Sequence, residues 1–366
     1  MEASSPRVSA PGTVNVWAPV RAFFSKYGLI IVLLALPVIC ALGDLLGWGH
    51  FAFIEMSNEK SLTRLGTNIK DGLSNGSIWA LVALGYTLVY GIIELINFAH
   101  GDVFMIGSFI AVGMYATLGL TTSTGAAGLF FGLLAALIIA ALGCAVLNML
   151  IERVAYRPLR GAPKLAPLIT AVGFSFILEN VGLLWNGGQQ QAVPDLINSQ
   201  KQLFSFFGID VTHGDVLAIG VAIPLLILLG GFVNNSRLGK AMRATAQEPE
   251  AARLMGINVD TTISATFVLG GLMAGAAGLI YALYQTQIWY FQGFTAGLIA
   301  FTAAVMGGIG NLKGAVLGGL IIGIIQQISD NRIGTEWTPA IVFGYLVLIM
   351  VFRPQGLLGE ETREAG

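Results

Sequence analysis

The chain has 366 residues, of which 19 are basic and 20 acidic; its net charge is -1, 55% of it is hydrophobic, and its mean hydropathy is +0.77. Soluble domains carry about 25% charged residues, and 11% is too few to cover a surface facing water, so the sequence is that of an integral membrane protein. The charge balance excludes a basic nucleic-acid binder, and long apolar stretches with 48 glycines exclude a disordered tail and a disulfide scaffold.

A helix crossing the hydrocarbon needs about 20 largely apolar residues. Candidate runs lie near 28–47, 72–92, 103–120, 126–150, 165–185, 215–234, 261–284, 293–310, 314–329 and 337–352. These runs are apolar on all sides, whereas membrane strands alternate apolar with polar residues. The expected fold is all-α: a polytopic helix bundle with 8 to 10 transmembrane helices and broken or re-entrant glycine-rich segments. It divides into a cytoplasmic tail over 1–27, one transmembrane domain over 28–352 with a cytoplasmic segment at 237–260, and a cytoplasmic tail over 353–366. The first run follows a long basic leader (Arg7, Arg21, Lys26) and exceeds the apolar core of a signal peptide, which favours a retained helix. Cys40 and Cys144 lie inside apolar runs and read as small buried hydrophobes. The 293–310 and 314–329 runs are short and glycine-laden, and form either two crossings or one broken hairpin.

Cytoplasmic loops retain Lys and Arg. With the N-terminus inside, only Lys60, Arg64, Lys70, Lys201 and Arg332 of the 19 basic residues fall outside, and both termini are cytoplasmic. Trp48, Trp185, Trp289 and Trp337 then mark the outer membrane boundary.

Four segments stand out. Glu94 to Asp102 is a polar interruption between two apolar runs, and Asn97, His100, Gly101 and Asp102 within it are candidates for a polar path. A cytoplasmic turn capped by Asn97 and Asp102 is the competing reading. Glu179, inside the run 165–185, either lines a path or forms an internal hydrogen bond. The polar stretch Arg237–Asp260 holds Glu250-Ala251-Ala252 with Gly256 four residues on, a small-residue face and a turn that suit a partner's cleft; an ordinary solvated connector is the alternative. The glycine-dense stretch 301–319, including Gly307 and Gly308, reads as close helix packing or as backbone exposed to a polar solute.

A phosphate-binding loop needs G-x-x-x-x-G-K-[ST], and the Gly239-Lys240 pair is followed by Ala241 and preceded by Asn234 at the first glycine position. The chain therefore is not expected to bind ATP itself. His50, His100 and His213 are too scattered for a zinc site or a serine hydrolase, so no enzymatic chemistry is expected.

Taken together, Gly85-Tyr86-Thr87-Leu88-Val89-Tyr90-Gly91, INFAHGDVFMIG (96–107), Tyr156-Arg157-Pro158-Leu159-Arg160, Glu250-Ala251-Ala252-x-x-x-Gly256 and FTAAVMGGIG (301–310) closely resemble the permease subunits of branched-chain amino-acid ABC importers, over residues 65–358. The resemblance implies a non-catalytic translocation subunit in a bacterial-type inner membrane. Its implied partners are a second similar permease, two cytoplasmic ATPases holding ATP and magnesium, and an extracytoplasmic solute-binding protein, with no cofactor on this chain. It further implies ATPase coupling through Arg243, Glu250, Ala251, Ala252 and Gly256, although the I-x-L-P ending of other ABC importers is missing after Gly256. Related permeases carry urea, short amides and other neutral amino acids, which gives alternative cargoes. A self-sufficient ion-coupled carrier using Glu94, Asp102 or Glu179 is the alternative of a different class.

Overall fold

The structure is a computed structural model and describes residues 18–47, 50–51, 54–55, 62–163 and 165–359. Residues 1–17 and 360–366 of the expected tails, Trp48, Lys60 and Lys164 lie outside the described residues, as do the side chains of Arg21 and Lys26. Ten helices coincide with the ten apolar runs. They are α1 (Ala18–Leu46), α2 (Thr63–Ile93), α3 (His100–Thr117), α4 (Ala126–Ile151), α5 (Leu165–Asn186), α6 (His213–Asn235), α9 (Val259–Gln285), α10 (Gln292–Gly307), α11 (Leu312–Arg332) and α12 (Thr338–Phe352). Between α6 and α9 lie two short polar helices, α7 (Arg237–Gln247) and α8 (Pro249–Leu254). Short strand pairs occur only in connecting segments among the described residues, the longest being the hairpin Gln202–Phe206 with Ile209–Thr212.

Among the described residues, six segments are long and apolar enough to cross a membrane: α2, α4 with its continuation to Leu159, α5, α6, α9 and α11. At about 1.5 Å per residue, α10 with its 16 residues spans about 24 Å, short of a hydrocarbon layer of about 30 Å. It folds back on α11 through Gly308–Asn311 as a helical hairpin, with Asn311 capping α11 by accepting from the Gly314 amide at 3.1 Å.

The arrangement is ordered by polarity. Water is absent from the hydrocarbon, so polar side chains there must find partners inside the bundle, while leucine and phenylalanine meet lipid at no cost. Helix α2 carries Asn68, Ser74, Asn75, Ser77 and Thr87, all buried, and 78% of its most apolar stretch is enclosed by the protein. Helix α4, almost wholly aliphatic and aromatic, is enclosed over only 22% and turns Phe130, Phe131, Leu142 and Val146 outward. Thus α2, α9 and α11 form the centre, and α4, α5 and α6 the periphery. Hydrogen bonds cross the central interfaces from Trp79 Nε1 to Gln326 (2.6 Å), Asn75 Nδ2 to Gln327 (3.0 Å) and Gln285 Nε2 to Asn75 (3.1 Å).

Helix α2 starts two turns earlier than the apolar run indicated, because Lys70 is neutralised within the fold. Its Nζ stands 2.6 Å from both Asp71 and Asp215. Asp215 also accepts from Ser74 Oγ at 2.8 Å and belongs to the Thr212–Asp215 capping box that starts α6. A second charge is handled likewise. Arg332, at the end of α11, makes two 2.7 Å bonds to the carboxylate of Asp44 on α1, and both side chains are fully buried.

The α2–α11 crossing depends on the absence of side chains at two pairs of glycines. A methyl carbon on Gly72 or Gly76 would lie 2.6 to 2.9 Å from the backbone of α11, and one on Gly323 would lie 2.3 Å from the backbone of α2. Backbone cannot swing aside as a side chain does, so this small-residue seam sets the interhelical distance.

Two predictions follow from the packing. Arg332→Leu removes both of its bonds to the buried Asp44 carboxylate, at a cost of about 3–5 kcal/mol, and lowers the melting temperature in detergent; adding Asp44→Leu restores most of it. Gly323→Val abolishes the monodisperse peak in size-exclusion chromatography, whereas Gly173→Ala on α5, where no atom lies within 4 Å of the new carbon, leaves the peak unchanged.

Candidate functional site

The polar interruption is shorter than it reads in sequence. Helix α2 ends with Glu94 in the left-handed region at φ +51°, and α3 starts at His100, so His100, Gly101 and Asp102 form the first turn of a helix. Neither Asn97 nor Asp102 caps it; the N-cap of α3 is Ala99, without a side-chain bond. Asn97 instead points into the bundle, where its Nδ2 donates to Asn148 Oδ1 of α4 at 3.2 Å. Asn148 Nδ2 in turn donates to the Phe267 carbonyl of α9 at 2.6 Å, and Tyr156 Oη donates to the Ile96 carbonyl at 3.0 Å. The break is thus fixed to three other segments.

One turn further on, α3 is pressed against α10 by mutual glycines. A methyl carbon on Gly101 would stand 2.3 Å from the Gly293 carbonyl, and one on Gly293 would stand 2.4 Å from Asp102 Oδ1. His100 is fully buried against α2, beside Gly85 and with its ring edge-on to Tyr86 at 4.9 Å, and neither ring nitrogen has a well-formed hydrogen bond among the described residues. Asp102 is likewise fully buried; its Oδ2 accepts from Ser175 Oγ of α5 at 2.5 Å, and its Oδ1 has no hydrogen-bond partner among the described residues. Its place in the first turn of α3 puts the carboxylate at the positive end of the helix dipole. Glu179 follows Ser175 by one turn on α5, is 7% exposed, and keeps Oε1 without a partner among the described residues.

Beside this cluster lies a cavity of about 200 Å³. Tyr86 and Phe98 line it from the α2–α3 corner, Val172, Ser175 and Phe176 from α5, and Phe294, Gly297, Leu298 and Phe301 from α10. It is predominantly apolar and aromatic, and Ser175 and Tyr86 are the lining residues with polar side-chain atoms. Of the residues singled out in the sequence, His100, Gly101 and Asp102 stand directly behind its wall, through Tyr86, Gly297 and Ser175. Gly307 and Gly308 lie elsewhere: Gly307 abuts the Gly314 backbone, and Gly308, at φ +107°, turns the chain beside Gly359. The aromatic walls and Ser175 escaped sequence reading, because Phe and Ser inside apolar helices carry no local signal of a cavity.

The polar stretch 237–260 is two helices at a break. Glu248 is extended and Pro249, which cannot continue α7, opens α8. Arg243 holds α7 to the end of α6, donating to the Val233 and Asn234 carbonyls at 2.5 and 3.2 Å. On α8, Glu250 and Ala251 are exposed and Ala252 is packed inward. Gly256 then reverses the chain at φ +84°. The tip of this turn is apolar: Leu254 is 90% and Met255 83% exposed, a feature the E-A-A-x-x-x-G spacing did not disclose. Asp260, where the segment re-enters the bundle, accepts from Arg157 (3.0 Å) and Arg160 (2.5 Å). Arg160 also pairs with buried Glu152, which accepts from Ser264 Oγ at 2.7 Å. The Tyr156–Arg160 motif therefore touches both the foot of the polar segment and the α2–α3 break.

Residues 68–351 match the family described as branched-chain amino acid transport system / permease component. The high-affinity branched-chain amino acid transport system permease protein BraD of Pseudomonas aeruginosa is 40% identical over 299 residues, covering 80% of this chain and 95% of that protein. LivH of Escherichia coli, of the same description, is 40% identical over 297 residues with the same coverage. LivM of Escherichia coli, also described as a permease protein of that system, is 26% identical over 307 residues, covering 77% of this chain and 68% of LivM. With its helical bundle, its apolar crossings and this match over most of its length, the chain belongs to the family of permease components of branched-chain amino acid transport systems.

Proposed function

We propose that the chain is the translocation subunit of an ATP-driven importer of branched-chain amino acids in a bacterial-type cytoplasmic membrane. ATP and magnesium belong to two partner ATPases on the cytoplasmic side, an extracytoplasmic binding protein delivers the solute, and a second, similar permease completes the path. The observation that carries the reading is the apolar tip Leu254–Met255, which projects from an otherwise polar segment and remains uncovered by the chain itself. A knob of this kind, raised on a short helix and turned by Gly256, fits a cleft on a cytoplasmic partner. Pairing with a second permease is supported by the relatives LivH and LivM, two permease proteins of a high-affinity branched-chain system in one Escherichia coli strain.

In this reading both termini are cytoplasmic, and Arg243, Glu250, Ala251, Ala252 and Gly256 form the coupling element. The solute passes the cavity beside Tyr86 and Ser175, with Asn97, His100, Gly101, Asp102 and Glu179 shaping its polar surroundings; Gly307 and Gly308 fix the α10–α11 turn that supports α10. Movement of α8 reaches the site through Asp260, Arg160 and Tyr156, which bonds the Ile96 carbonyl next to Asn97. ATPase closure has to favour one of two bundle arrangements by differential contacts at α8, since a partner that binds both equally shifts nothing.

Uptake of labelled leucine by cells expressing the complete importer tests this. Leu254→Asp with Met255→Asp lowers ATP-dependent uptake at least about tenfold, as one lost desolvated anchor of about 1.4 kcal/mol or more requires, and the ATPases no longer co-purify. Gly256→Val acts in the same direction, because a β-branched residue is strained at that φ. Unchanged uptake in both variants overturns the assignment.

A further inference from the structure

The cavity lining is of two chemical kinds, and they match the two ends of an amino acid. Phe176, Phe294 and Phe301 offer no charge. Ser175 reaches the cavity while its hydroxyl is bonded to Asp102, and Glu179 lies one turn along the same helix. Two acidic side chains, 0% and 7% exposed, thus accompany Ser175, one through its bond and one along α5, and each has an oxygen without a hydrogen-bond partner among the described residues. The ion pairs formed by described residues involve neither of them. Buried carboxylates in hydrocarbon are costly unless a cation meets them. The cavity next to them is of the right size for a small organic cation with an apolar tail: its volume of about 200 Å³ exceeds the roughly 150 Å³ that holds benzene in an engineered apolar cavity, and a leucine side chain has fewer carbons than benzene.

We propose that Ser175, held by Asp102 and with Glu179 behind it, receives the α-ammonium group of the passing amino acid, while Phe176, Phe294 and Phe301 enclose its branched side chain. The proposal rests on the importer reading and adds to it an orientation of the solute and a set of specificity-determining residues. The carboxylate of the solute finds no cationic side chain in the lining and stays on the open side of the cavity. A hydroxyl that donates its hydrogen bond to Asp102 keeps its lone pairs free, so Ser175 can accept from an ammonium group without breaking its existing bond. The aromatic faces add to the attraction for the cation.

The test uses the complete importer in proteoliposomes with leucine-loaded binding protein, measuring solute uptake and ATP hydrolysis together. Ser175→Ala, which removes only the hydroxyl, and Asp102→Asn, which keeps the shape and removes the acid, each lower leucine uptake at least about tenfold, the scale of one hydrogen bond to a charged group. ATP hydrolysis stimulated by the loaded binding protein stays within about twofold of wild type, since contacts at α8 are untouched. Ser175→Thr retains the hydroxyl and retains most of the uptake. Phe301→Ala changes the ratio of leucine to valine uptake. Wild-type uptake in both Ser175→Ala and Asp102→Asn overturns the assignment, and so does a parallel loss of uptake and stimulated hydrolysis, which marks a purely structural role. Failure of the unaltered complex to couple leucine uptake to ATP hydrolysis instead overturns the importer reading itself.

Discussion

A carboxylate inside a bilayer has nowhere to turn but inward, and this constraint organises the molecule. Lys70 with Asp215, Arg332 with Asp44, and Asp102 with Ser175 are each held between different helices. Each such group demands a partner on a neighbouring helix, and the neighbours are drawn in until the partner is reached. Glycine makes that approach possible, at the α2–α11 seam and again where Gly101 meets Gly293. The polar groups therefore specify which helices adjoin, and the glycines specify how closely. The aliphatic helices α4, α5 and α6 complete the wall against lipid.

The same constraint gives the candidate site its character. Pressing α3 onto α10 through bare backbone places Asp102 behind a wall that α5 closes with Ser175, and leaves an aromatic cavity beside it. The α2–α3 break that carries Asn97 is tied to α4, to α9 and to the Tyr156–Arg160 motif, so it moves only if those segments move. The foot of the polar segment, at Asp260, is joined to that motif. Hydrogen bonds and ion pairs, joined by short stretches of backbone, thus link the turn of the polar segment with the cavity region. That continuity is the physical basis on which a mechanical coupling is proposed.

Much of this was legible in the sequence. Composition alone demanded a helical membrane bundle, and every apolar run became a helix. Helix ends were less legible. Lys70 lies well inside α2 because Asp215, 145 positions away, neutralises it, and no local pattern announces such a pairing. His100 and Asp102 read as loop residues and are the first turn of α3, since both are buried by packing against distant helices, where Ser175 of α5 bonds Asp102, and no local pattern announces that burial. The side-chain cap from Asn97 that the competing turn reading required is absent, and Asn97 meets a buried partner in Asn148 instead. The aromatic cavity was invisible for a similar reason: Phe98, Phe176, Phe294 and Phe301 come together only once α10 folds back against α3 and α5.

The central claim is that this chain moves its solute only as part of an ATP-driven assembly. Purification of the tagged full-length chain in mild detergent from its native cells, followed by mass spectrometry of the bound proteins, tests it most directly. The account predicts stoichiometric recovery of ATPases carrying phosphate-binding loops together with a second multi-pass permease. Recovery of the folded chain alone, able to carry branched-chain amino acids into vesicles without ATP, would contradict it.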